Sequence, residues 1–193
     1  MFDRKPYSVV IVAVMSILLF SCEFNEIDPH HQEEPITTLY YTLTPIDDSS
    51  EKIVLFYQDI DGEGGLEPLI VVDSLDGNTS YQGELRLRGA SGSPEARISH
   101  GGTTEISNLA EIHQVFYAPS SRLDMNISYT DLDNNGFPIG ITTAVTTGNA
   151  GTGLLTISIR HEPNKGAPNV VSGDITHAGG STDIEVAFEV AIK

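Results

Sequence analysis

Tryptophan is absent from this 193-residue chain, and cysteine occurs once, at Cys22. A lone cysteine excludes an internal disulfide, and if it is acylated no thiol remains for metal binding or nucleophilic attack, so stability must come from burial. The missing indole weighs against a sugar-stacking face, which the seven tyrosines still leave open. Basic residues are scarce: ten Lys and Arg stand against 27 Asp and Glu, for a formal net charge of −17. Such a surface repels nucleic acid and anionic headgroups. It favours cations or basic partners, beside its ordinary solubilising role. No apolar stretch reaches the roughly 20 residues that a membrane-spanning helix needs; that from Val9 to Phe20 covers 12. A Gly-x-Ser-x-Gly elbow, a phosphate-cradling loop and a dinucleotide fingerprint are all missing, so a nonenzymatic role is expected.

What the N-terminus does contain is an export signal. Arg4 and Lys5 precede the apolar stretch, which ends at Ser21-Cys22 and the acidic Glu23. That layout makes 1–21 a signal peptide. Leu19-Phe20-Ser21-Cys22 resembles a lipobox, with Phe20 departing from the usual small residue, and makes Cys22 the acylated mature N-terminus. Residues 22–35 are polar, acidic and aperiodic, as a flexible tether would be. Acid-rich residues after the cysteine also resemble surface-export signals of Bacteroidota lipoproteins. They favour the cell-surface side of the outer membrane over the periplasmic side.

From 36 to 193 the chain reads as a single β domain, because apolar residues recur with period two. Leu39, Tyr41 and Leu43 share one face, as do Tyr81, Gly83, Leu85 and Leu87. The same holds for Leu123, Met125, Ile127 and Tyr129, for Leu155, Ile157 and Ile159, and for Ile184, Val186, Phe188, Val190 and Ile192. Ile53–Tyr57 is apolar on both faces. A constant shift of 72 residues superposes Tyr57 on Tyr129, Asp59 on Asp131, Asp61 on Asp133, Gly64 on Gly136 and Arg88 on Arg160. The expectation is an all-β, antiparallel, Ig-like sandwich of about nine strands, with repeat halves at 36–88 and 112–161 and a closing strand at 183–192. A closed antiparallel barrel is the alternative. Two long segments, 89–111 and 162–182, escape the repeat; the first suggests a short helix at 104–111, and both suit contact or mobility.

Two constellations offer chemistry. Asp59, Asp61 and Glu63, and again Asp131, Asp133 and Asn135, place oxygen ligands at alternate positions before a glycine, like the opening of a calcium loop. The completing acid is missing, since Ile70 and Thr142 stand at the twelfth positions, and Asx-rich turns are the alternative. His100, His113, His161 and His177 lie in or beside the long loops. His113 and His161, with Glu111 and Glu162, are the candidate ligands for zinc, copper or iron. His161 continues the inward parity of Ile157 and Ile159. Hydrogen-bonded structural imidazoles are the alternative there.

Four strings carry a family resemblance: Tyr129-Thr-Asp131-Leu-Asp133-Asn-Asn-Gly136-Phe-Pro-Ile-Gly140, His113-Gln-Val-Phe116-Tyr117, Arg160-His161-Glu162-Pro163-Asn164-Lys165, and the run from Gly173 through His177, Gly180 and Asp183 to Val186. In these the chain resembles small Bacteroidota lipoproteins often encoded beside TonB-dependent outer-membrane receptors. The resemblance implies a receptor partner and supplies neither substrate nor catalytic residues. That family often has Asn where this chain has His177, which leaves His113 and His161 as the better ligands. The expected function is that of a lipid-anchored accessory or ligand-capture protein of receptor-driven uptake, for a metal or metal complex. The alternatives are a structural or adhesive surface domain with weak calcium sites, and a metal-dependent enzyme.

Overall fold

A computed structural model describes residues 36–62, 64–89 and 103–193, with only the backbone of Thr104 and Glu105. The expected signal peptide, Cys22, the expected tether, Glu63 and His100 lie outside the described residues. Among the described residues nine strands follow one another: β1 (Ile36–Pro45), β2 (Ile53–Gln58), β3 (Leu69–Val72), β4 (Ser80–Gly89), β5 (His113–Pro119), β6 (Met125–Tyr129), β7 (Thr142–Thr147), β8 (Gly151–His161) and β9 (Ser181–Ile192). Period-two patterning is the cause. In β4, Tyr81, Gly83, Leu85 and Leu87 are buried, while Gln82, Glu84, Arg86 and Arg88 face solvent. The short helix α1 spans Thr103–Asn108, and the expected helix to 111 instead breaks into a 3-10 turn at Ala110–Ile112.

The strands form two antiparallel sheets, one ordered β3-β2-β1-β4-β7-β6 and the other β5-β8-β9. Without the β2–β3 hairpin, the first order is the A-B-E-D of an immunoglobulin constant-type sandwich, and the second is its C-F-G. The sandwich expectation therefore holds and the closed barrel does not. No ladder joins the two sheets among the described residues, only a single bridge between Leu75 and Ile192.

The 72-residue shift carries the first four strands onto the next four: β2 starts at Ile53 and β6 at Met125, while β4 ends at Gly89 and β8 at His161. The partners differ. The first hairpin stays on β1, whereas its equivalent β6–β7 leaves β5 and joins β4 in the other sheet. That exchange turns a linear repeat into a sandwich.

Leu39, Tyr41, Leu85 and Leu87 face Val115, Tyr117, Ile157 and Phe188 across the core, all buried. Each fully buried side chain of this size contributes about 1.5–3 kcal/mol before ordering entropy is charged against it. Tyr41 and Tyr117 meet at 5.0 Å between ring centres, so these rings serve packing and not ligand stacking. Residues 162–180 are not a free loop. They fold over the outer face of β5, where Phe116, Val170 and Ala178 make a second small core and Gln114 Nε2 donates to the Val170 carbonyl.

Candidate metal centre

His113 opens β5, His161 ends β8, and the ladder sets them opposite each other. Both continue the inward faces of their strands, past Val115 and Ile159. The third member is Asp183, which sequence reasoning missed. Alternation alone sends it outward with Glu185. The β8–β9 ladder, however, pairs Ile159 with Ile184 and then Arg160 with Thr182, leaving Asp183 as an extra residue in a bulge. A bulge re-aims its side chain. Here one ligand atom from each of His113, His161 and Asp183 falls within 4.8 Å of the others. This is the only such three-residue group among the described residues.

Hydrogen bonds fix the imidazoles. His113 Nδ1 lies 3.0 Å from the Leu109 carbonyl, which can only accept, so Nδ1 carries a proton, and in the neutral ring Nε2 is then the lone-pair atom. His161 Nδ1 is 2.9 Å from that Nε2, which accepts from it when the His113 ring is neutral. The Asp183 carboxylate lies 3.8 Å from the same Nε2. Side-chain exposures of 3%, 12% and 19% for His113, Asp183 and His161 place the group at the rim, sheltered yet reachable. Metal–ligand bonds of about 2.0–2.2 Å would require these atoms to adjust by several tenths of an ångström. A cavity of about 320 Å³ opens beside the group, with Asp183 in its wall next to Tyr57, Asp59, Asp61, Ile184 and Glu185.

The two expected acids, Glu111 and Glu162, stand outside this group. Glu111 is exposed and accepts a 2.5 Å bond from Asn134 Nδ2. Glu162 has a left-handed backbone (φ +52°) and a side chain 72% exposed, 3.9 Å from the outer nitrogen of His161. Glu111 lies in the Ala110–Ile112 turn before β5 begins, and Glu162 lies just past the end of β8, so neither sits on the inward strand face that carries the histidines. His177 is exposed and stands outside the group.

Among the described residues, the aspartates of both Asp-rich runs bond to main-chain amides, Glu63 lying outside them. Asp59 and Asp61 accept the amides of Gly62 and Leu66 and so close a turn. Asp131 accepts three amides, from Gly140, Ile141 and Thr142. Asp133 accepts those of Asn135 and Phe137 through Oδ1, while its Oδ2 lies 2.9 Å from Lys165 Nζ. Asn135 is an exposed turn residue. Burial works to raise the Asp133 pKa, but the Lys165 hydrogen bond, the Phe137 amide, the ammonium charge and the Asn135 amide hold it below the usual carboxylate value. The loop thus has a cation, supplied by the chain itself.

Fold and group together define an Ig-like sandwich with a two-histidine, one-carboxylate cluster at one rim. Comparison with protein-family models, curated proteins and solved structures finds no match for the chain.

Proposed function

We propose that this chain is a lipid-anchored, nonenzymatic capture protein for a first-row transition-metal ion, acting beside a TonB-dependent outer-membrane receptor. One observation carries the metal half: two imidazoles and one carboxylate converge from three strands of one sheet. Two nitrogens and one oxygen suit zinc, copper(II) or iron(II), and not the all-oxygen preference of calcium. Three protein ligands leave a coordination position open, through which an incoming ligand can take the ion onward. On metal binding, His161 would transfer its proton to Nε2, where the Glu162 carboxylate faces it as an outer partner. The anchor and the receptor rest on Cys22 and on the lipoprotein resemblance. A tether makes even weak receptor contacts effective by raising local concentration.

Cobalt(II) titration of the purified protein tests the site. One equivalent should bind with a visible absorption band, and His113→Ala, His161→Ala and Asp183→Asn should each abolish it. The 2.9 Å bond between the histidines favours a second reading, a purely structural pair. Variants that lose stability while the wild type binds no cobalt would select that reading. Gentle extraction of the lipidated protein tests the partner, and recovery without an outer-membrane receptor would remove that half.

A further inference from the structure

Lys165 is an expensive residue to bury. Its side chain is 4% exposed, and its ammonium lies 2.9 Å from a carboxylate whose side chain is fully buried. Its other two donors reach the carbonyls of Ala110 at 2.6 Å and Pro138 at 3.0 Å. Removing two charges from water costs several kcal/mol per ion, and apolar residues of similar volume are often as stable or more so. Stability alone therefore does not account for the pair.

Its position does. The Ala110 carbonyl that receives Lys165 also accepts the main-chain N–H of His113. The preceding carbonyl, of Leu109, accepts the Ile112 N–H and faces His113 Nδ1. The Ile112 carbonyl accepts the amide of Glu162, the residue after His161. One 3-10 turn thus holds the backbone and ring of His113 together with the end of β8, and the ammonium ties that turn to the 131–140 loop.

We propose that Lys165 is a positioning residue for the metal centre: anchored by Asp133 and Pro138, it clamps the Ala110–Ile112 turn so that His113 keeps its proton on Nδ1 and offers Nε2 to the ion. The consequence for metal rests on the function proposed above; the consequence for the tautomer does not. The test uses the whole protein with Asp133→Leu and Lys165→Met combined, because Lys165→Met alone would strand a buried carboxylate and unfold the chain. A melt establishes that the pair variant folds. Long-range ¹H–¹⁵N spectra of the metal-free protein then read the His113 tautomer, and competition titration reads cobalt affinity. Wild type should show a single Nδ1–H form. The folded variant should show mixed tautomers and bind cobalt about ten- to hundredfold more weakly, the usual cost of losing an outer partner. A folded variant with the wild-type tautomer and affinity overturns the proposal. If wild type binds no cobalt, the metal reading fails, and the tautomer alone decides: mixed forms support the role of Lys165 and an unchanged ring overturns it. Should the apolar pair not fold, Asp133→Asn with Lys165→Gln takes its place, with the same readouts and outcomes.

Discussion

Tyr41 and Thr143 share a 2.7 Å hydrogen bond in the core, and neither side chain reaches solvent. Burial raises the Tyr41 pKa further than the Thr143 bond lowers it, so the phenol is neutral at physiological pH. Tyr41→Phe would leave the Thr143 hydroxyl buried without that bond. A loss of about 1–3 kcal/mol is expected in urea unfolding. Adding Thr143→Val should recover most of it, since removing both polar groups leaves nothing to desolvate. Asp133 gives the pH dependence. Its folded pKa lies below the ordinary value, so the unfolded chain takes up the proton first as pH falls. The stabilisation is fully present above about pH 4 and is lost as pH falls through the folded value. Urea melts at pH 5, 4 and 3 should therefore fall less steeply for the Asp133→Leu, Lys165→Met pair than for wild type.

The ends of β8 and β9 show how narrowly the backbone is specified around the candidate site. Gly180 has φ +68°, and a Cβ there would collide with the His161 carbonyl and touch Glu162. Gly179 has φ +63° but open space. Both alanine variants incur backbone strain of more than about 1 kcal/mol. Only Gly180→Ala should also displace His161 and weaken cobalt binding, so comparing the two melts and titrations separates strain from displacement. The inward faces of β4, β8 and β9 were legible because alternating burial is written directly into the residues, and so was the inward parity of His161. Asp183 was not, because the bulge adds one residue to β9 and reverses parity locally without any sequence mark. The cage of Lys165 was hidden for another reason: two of its three oxygens are main-chain carbonyls, which every residue carries. The sheet assignment of β6–β7 was equally silent, since the repeat places the same pattern in both halves and only tertiary packing decides which neighbour the second hairpin takes.

Calcium, transition metals and membrane attachment are expected to involve three different places in the molecule: the 131–140 loop, the His113 group and Cys22. The cation-seeking oxygens of the 131–140 loop already hold an ammonium, so millimolar calcium should leave the melting midpoint unchanged despite a net charge of −17. Cobalt or zinc, bound only by the folded state, should raise it, because such a ligand draws the equilibrium toward the form that binds it. The rise should vanish in His113→Ala and shrink as pH falls, since imidazole must be deprotonated to ligate. Attachment is expected to depend on Cys22; no described helix is long and apolar enough to cross a membrane. Cys22→Ala should abolish fatty-acid labelling and move the protein out of the membrane fraction, while its cobalt titration matches wild type. His113→Ala should do the reverse. If the Cys22 variant stays with the membrane and still takes up the label, the anchor lies elsewhere, and the effective-concentration argument for a receptor partner loses its basis.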